Sequence, residues 1–218
     1  MVLKIREGIP ADEAALLHIC LVTGDAGKSA EPLVKTKELP GLIFAAPYVH
    51  LASAYCFVLV DDADSATNDS TDTVVGYIVG STNCRAYERD AAENWYPAIR
   101  AKYSYPLDDA QEYSDVERLF LPQEVLDIYQ AYLHINILEP YRGKGWGTRL
   151  IRAAAEAVKK DGGKGLWVRL NPKNEESLKF YTAIGFEKIT TVKGEFYGFD
   201  GEFYGIDVEK YLNSDRGK

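Results

Sequence analysis

Apolar positions in this chain follow two different periods, and the places where the period changes outline its elements. Val2 to Arg6 alternate, V-L-K-I-R, as a first strand does. "IPADEAALLHICLV", from Ile9, sets a proline and two acids before a helical apolar run, so Asp12 and Glu13 lie near the positive end of a first helix. "TGDAGKSAEP" is loop chemistry, and a second helical stretch is expected over residues 33–44. "AAPYVHLA" reads as helix or loop. "YCFVLVDD" and "VVGYIVGST" read as strands joined by the acidic, Ser/Thr-rich loop "DDADSATNDSTDT". The loop's aspartates do not follow the spacing of a calcium loop, which also needs a glycine and a closing glutamate, so it is given no site.

Residues 84–130 break the alternation. They hold helical pieces rich in aromatics, among them Trp95, Tyr96, Tyr103 and Tyr105, and are too long and patterned for a plain connection. They read as a helical insertion, either covering an acceptor cleft or capping the sheet with its aromatics in the core. The last third alternates cleanly. "AYLHINIL" is a strand. "GTRLIRAAAEAVKKDGG" is a helix with Leu150, Ile151, Ala154, Ala155 and Val158 on one face, stopped by Gly162 and Gly163. "KGLWVRL" is a strand, "NEESLKFYTAIGF" a short helix ending at Gly185, and "EKITTV" and "YGIDVEKYL" closing strands. "GEFYG" occurs at Gly194 and again at Gly201, an echo too short to be a repeat architecture.

Composition narrows the function classes. The 218 residues carry a net charge of −8 with a pI of about 5.0, and 46% are hydrophobic. That composition suits a folded domain and disfavours a nucleic-acid partner, which calls for a basic surface. Cys20, Cys56 and Cys84 are odd in number and widely spaced, which indicates neither a disulfide framework nor a metal site and fits reduced thiols inside the cell. The charged N-terminus does not resemble a signal peptide, and no apolar run reaches the roughly 20 residues of a membrane span. A cytoplasmic location is expected, with the nucleus left open. The oligomeric state is not legible.

The stretch that carries chemistry is "EPYRGKGWGTRL", Glu139 to Leu150. A strand, a glycine loop and a helix make an anion site, because the first N–H groups of a helix are unpaired and its dipole favours negative charge there. Lys144 is not followed by Ser or Thr, so this is no Walker loop. Gly143, Gly145 and Gly147 give G-x-G-x-G, not the dinucleotide G-x-G-x-x-G.

Arg142-Gly143-Lys144-Gly145-Trp146-Gly147 resembles the R/Q-x-x-G-x-G/A signature of the GCN5-related N-acetyltransferases (GNAT). Downstream, Asn174, Ser177, Phe180, Tyr181, Gly185 and Phe186 are similar to that family's second motif, and the two stand in the family's order over residues 131–190. "TGDAG", Pro47-Tyr48 and "YQAYLHINIL" extend the resemblance to a bacterial and fungal subgroup similar to the acetyltransferase-like C-terminal domain of the O-GlcNAc hydrolases. Bacterial members of the subgroup tend to have H-I-D where this chain has His134-Ile135-Asn136.

The resemblance implies an α/β (α+β) GNAT fold, one domain over residues 1–218. Its sheet is mixed and mostly antiparallel, of about six or seven strands flanked by helices, with the 84–130 insertion between the third and fourth strands. It implies acetyl-CoA, without a metal, held where "AYLHINIL" and "GLWVRL" splay apart, and direct acetyl transfer to an amine. The pyrophosphate would meet the N–H groups of Gly143, Lys144, Gly145, Trp146, Gly147 and Thr148, with Arg142 as a charged neighbour or a shaper of the loop. The pantetheine would pair with the backbone of Ile135, Asn136 and Ile137, and an N–H near Ile135 would face the thioester oxygen. Tyr181 is placed beside the sulfur as a general acid and Asn174 beside the pantetheine. His134 and Asp25 are candidates for deprotonating or orienting the amine, against the alternatives of a structural histidine and a turn aspartate. A non-catalytic acetyl-CoA-binding module is the competing reading.

Overall fold

The computed structural model describes residues 2–62, 73–103, 122–196 and 199–214, and side chains outside 194–200. Most of the loop between the second and third strands, and Tyr105 with the neighbouring part of the insertion, lie outside the described residues.

Seven strands form one sheet in the order β1-β2-β3-β4-β5-β7-β6. They are β1 (Leu3–Glu7), β2 (Tyr55–Asp61), β3 (Thr73–Ser81), β4 (Ala131–Ile137), β5 (Gly165–Leu170), β6 (Glu187–Phe196) and β7 (Phe199–Asp207). Every neighbouring pair is antiparallel except β4 with β5. That pair is recorded only at Ala131–Leu166 and Tyr132–Trp167. Beyond Tyr132, β4 stays in register with β3 up to Ile137 but no longer pairs with β5. The sheet is therefore joined at its centre by two residue pairs and open beyond them.

The helices are α1 (Glu13–Thr23), α2 (Leu39–Phe44), α3 (Cys84–Asn94), α4 (Tyr96–Lys102), α5 (Gln123–Leu126), α6 (Trp146–Lys160), α7 (Glu175–Ala183) and α8 (Val208–Asn213). On one face of the sheet α6 buries its Leu150, Ile151, Ala154, Ala155 and Val158 stripe against Leu59, Ile78, Leu133 and Leu166. Its small alanines let the helix approach closely, and α7 brings Tyr181 and Ile184 to the same core. The other face is aromatic. Leu16 and Ile19 of α1, Tyr87 of α3 and Tyr96 of α4 pack there with Tyr48, Tyr77, Tyr132 and Trp167. Tyr87 and Tyr96 thus put insertion aromatics in the core, as a cap on the sheet does.

Two local expectations, at α2 and at "YGIDVEKYL", need correction, and the segment read as helix or loop takes one form. α2 starts at Leu39 rather than at residue 33, because Pro40 is tolerated only in a helix's first turn. "AAPYVHLA" forms a 3-10 turn over Ala46–Val49. "YGIDVEKYL" is not one strand: β7 ends at Asp207, whose carboxylate accepts from Lys210 N at 2.8 Å and caps α8. Asp12 also does more than complement a helix dipole. Arg6 grips it bidentately at 2.7 and 2.8 Å while Ile9 N donates at 2.9 Å, and these contacts hold its carboxyl below the usual range against the desolvation that opposes them.

Candidate active site

The glycine loop connects the open end of β4 to the N-terminus of α6. Gly143 and Gly145 have φ of +71° and +81°, the left-handed region that favours glycine. A Cβ built on either meets nothing within 4 Å, so each faces open space. Gly147 has a different reason: a Cβ there would lie 3.0 Å from the Phe180 ring, so this glycine lets α6 and α7 pack together. Among the described residues, the N–H groups of Gly143, Lys144, Gly145, Trp146, Gly147 and Thr148 have no protein acceptor, and the first helical bond of α6 runs from Arg149 N to Gly145 O. A run of six N–H groups without a protein acceptor at a helix N-terminus, with open space beside Gly143 and Gly145, suits an anion. The Lys144 ammonium donates to Pro140 O at 2.7 Å, and the Arg149 guanidinium lies over the Trp146 ring, 4.5 Å from its centre.

Arg142 does not stand free in front of this loop. Its Nε donates to Ile137 O at 2.7 Å and its Nη2 to Gly27 O at 3.0 Å. Of the two roles expected for this residue, a phosphate contact or a shaper of the loop, the bonds to two backbone carbonyls are of the second kind, and its remaining nitrogen Nη1 lies against Gly27.

The gap beside β4 supplies the second part of the site. Leu138 N donates to Val75 O, so by strand alternation the backbone groups of Ile137, Ile135 and Leu133 point away from β3, toward the opening. The side chains of His134 and Asn136 emerge on the aromatic face. Asn136 Nδ2 donates to Tyr77 Oη at 2.8 Å and lies 3.1 Å from His134 Nε2. Burial pushes the His134 imidazole down to about 4, so it is neutral at physiological pH. A proton on that ring is poorly held, and one nitrogen already faces Asn136. Tyr77 is fully buried and was not singled out in the sequence; the fixed side-chain parity of β3 and β4 was the signal that could have found it.

Tyr55 was also missed. Its hydroxyl crosses Gly80 of β3 and donates to Tyr132 O at 2.8 Å, at the point where β4 leaves β5. A Cβ on Gly80 would lie 2.6 Å from Tyr55 Oη, and a glycine inside a strand signals this kind of close approach.

Tyr181 is buried in α7, its ring edge-on to Phe180 at 5.2 Å and to Phe186 at 5.1 Å. Its hydroxyl has no hydrogen-bond partner among the described residues, and burial pushes the phenol well above its ordinary value. Asn174 is the N-cap of α7, its Oδ1 accepting from Ser177 N at 3.1 Å. Asp25 is exposed in a two-residue hairpin closed by Asp25 N to Lys28 O (3.0 Å) and Lys28 N to Asp25 O (2.8 Å). The fold thus sets the glycine loop at the end of the open β4 edge, places His134 beside Asn136 and Tyr77 on the aromatic face, and bonds the hairpin that holds Asp25 to Arg142 through Gly27 O.

Comparison with known proteins agrees with this geometry. Residues 122–193 match the family described as FR47-like protein. The solved structure of SsHAT superposes with a TM-score of 0.79 at 27% identity, over 95% of this chain and 99% of that one. The domain is GNAT-like. Its sequence is also 25% identical to the rat (Rattus norvegicus) Protein O-GlcNAcase over 202 residues, 88% of this chain but 21% of that protein. The GNAT-like chain therefore spans about a fifth of the length of the O-GlcNAcases it matches. A second relative, an uncharacterized N-acetyltransferase called YobR from Bacillus subtilis (strain 168), is 33% identical over 66 residues, 30% of this chain and 27% of that protein. The GNAT fold implies acetyl-CoA, and with the N-acetyltransferase relative it supports acetyl transfer in general. Among the described residues of the GNAT-like domain, no helix is long and apolar enough to cross a membrane and no group of three or more His, Cys, Asp or Glu is placed to hold a metal.

Proposed function

We propose that this protein is an acetyl-CoA-dependent N-acetyltransferase, one domain passing acetyl directly to the amine of a small molecule or a peptide lysine. The observation that carries the reading is the parting of β4 and β5 after two residue pairs, beside a glycine loop with six unpaired N–H groups. Acetyl-CoA supplies an activated acetyl thioester; the chain supplies binding and orientation. The N–H groups of Gly143 to Thr148 hold the pyrophosphate. The exposed edge of β4 takes the pantetheine amides as a sheet edge takes a strand, through the backbone groups of Ile135 and the N–H of Ile137; Asn136, expected to share this role, turns its backbone to Tyr77 of β3 instead. The Ile135 N–H serves the carbonyl oxygen as it gains charge.

Tyr181 is the donor toward the departing sulfur. A thiol titrates near 8.5 and this phenol far above that, so the physical role is hydrogen-bond donation to the thiolate rather than complete proton transfer. His134 is better suited to a hydrogen bond than to general base work. A lysine-like amine titrates near 10.4, and an imidazole pushed down to about 4 has little affinity for its proton. That same property favours the second reading, an acetyl-CoA-binding module without turnover.

The test has two stages. Acetyl-CoA at about 100 times its dissociation constant should stabilise the protein by about 2.7 kcal/mol, raising Tm, and ATP should do much less; equal stabilisation by ATP sinks the assignment. Single-turnover acetyl transfer then compares wild type with Tyr181→Phe. A drop of about tenfold with acetyl-CoA affinity unchanged supports a role in the chemical step. Binding without transfer to any amine in a panel leaves the non-catalytic reading standing.

A further inference from the structure

The Asp25–Lys28 hairpin and the glycine loop come from opposite ends of the sequence and meet at one side chain. Ala26 and Gly27 have φ of +48° and +89°, which makes Asp25-Ala26-Gly27-Lys28 a two-residue turn with both central residues left-handed. The hairpin follows α1, whose Leu16, Ile19 and Cys20 pack on the sheet face that carries His134 and Asn136. It therefore stands at the end of the helix that covers the His134 and Asn136 face, the side assigned to the acceptor in the reading above. Among the described residues, Arg142 is the one side chain bonded to residues 25–28. Arg142 also bonds Ile137 O, at the end of the strand that borders the gap. Its Nη1 lies 3.1 Å from where a Cβ on Gly27 would be, so the turn sits close against the guanidinium.

We propose that Arg142 is a positioning residue that ties the Asp25–Lys28 hairpin to the end of β4, so that filling the cofactor loop orders the acceptor-side wall. A planar guanidinium bonds two carbonyls at fixed angles through two different nitrogens, which an ammonium cannot reproduce. Two of its donors are already used, and they hold protein backbone from both sides of the opening. Acetyl-CoA in the loop restrains residues 143–148 and with them Arg142, and the restraint passes to the hairpin through the bond to Gly27 O. The proposal rests on the acetyl-CoA reading above, and the experiment separates the two.

Hydrogen exchange is followed at the amides of Asp25, Gly27 and Lys28, with and without saturating acetyl-CoA, in wild type and Arg142→Lys. Affinity is measured in parallel by titration calorimetry. In wild type, acetyl-CoA should slow exchange at these amides at least threefold. In Arg142→Lys the exchange without ligand should be at least threefold faster, the ligand-dependent protection should vanish, and the acetyl-CoA dissociation constant should change less than threefold. A residue that only braces the fold would not make hairpin protection depend on ligand. Absence of protection in saturated wild type overturns the proposal, as does protection that persists in Arg142→Lys. A tenfold loss of affinity with hairpin exchange unchanged makes Arg142 a phosphate ligand and overturns it too. If calorimetry shows no acetyl-CoA binding by folded wild type, the functional reading fails; ligand-free exchange then decides whether Arg142 holds the hairpin, faster exchange in the variant upholding the tie and unchanged exchange removing it.

Discussion

The two faces of the sheet are built by different means. On the α6 face the site is backbone: glycines, helix N–H groups and an unpaired strand edge, over a core of alanine, leucine and valine. On the α1 and α3 face the sheet instead carries a packed layer of side chains. Tyr48 stacks on Tyr87 at 4.8 Å, Tyr132 stacks on Trp167 at 5.4 Å, Tyr48 Oη is bonded to Tyr132 Oη, and His134, Asn136 and Tyr77 form a polar string along the strand. Backbone recognition suits a ligand that is the same in every relative, because most side chains around it can change. Side-chain recognition suits a partner that differs from one relative to the next. The contrast teaches that a local motif reports a backbone device and is silent about contacts built from side chains distant in the chain.

The contrast breaks most sharply at Gly145. Gly145→Val should weaken acetyl-CoA binding at least 100-fold, about 3 kcal/mol, because its side chain fills the open space before the loop and resists the positive φ. Gly162→Val is the matching control. It has φ of +78° and an equally open Cβ position at the other end of α6, so it carries the same strain away from the site. Calorimetry on both variants checks this: normal affinity in Gly145→Val, or equal losses in the two, would reduce the loop to an ordinary turn.

The aromatic face should answer to pH. Folding lowers the His134 value from 6.5 to about 4, so the folded state disfavours its protonation. The contribution is fully present above about 6.5 and is lost as pH falls toward 4. Its size is at most about 2 to 3 kcal/mol, because the ring keeps some exposure. Denaturation at pH 7 and pH 4.5 should show a smaller acid loss in His134→Gln than in wild type. Identical losses would mean that His134 is solvated in the folded protein.

The smallest effect concerns two stacked tyrosines. The Tyr87 hydroxyl is buried without a hydrogen-bond partner, whereas that of Tyr48 is bonded to Tyr132. Tyr48→Phe should cost about 1 kcal/mol and Tyr87→Phe should fall within about 0.5 kcal/mol of wild type. Urea midpoints measure both, and equal losses would mean that the two hydroxyls are equally well paired.

The same asymmetry explains what the sequence revealed. The α6 face was legible because its devices are local: a glycine triplet, a helical stripe from Leu150 to Val158, and an ordered second motif. The bond from Arg142 to Gly27 and the placement of Tyr55 and Tyr77 were not, because the partners Gly27, Tyr132 and Asn136 lie far away in the chain. Pro40 and the Asp207 cap were readable signals passed over for longer periodic runs. Asn174 was assigned by motif, and its position at a helix start, three residues before Ser177, already described a cap.

The two residue pairs joining β4 to β5 also bear on how the protein comes apart. With so few bonds across the centre, β1-β2-β3-β4 and β5-β7-β6 are two halves of one sheet joined by a short ladder. Each can keep its own hydrogen bonds while the seam between them opens, so the seam is a natural boundary between cooperative unfolding units. A ligand lying along β4 in that seam acts as a mortar course. Its grip would be felt in the cooperativity of unfolding as well as in the melting temperature, merging two loosely coupled blocks into one.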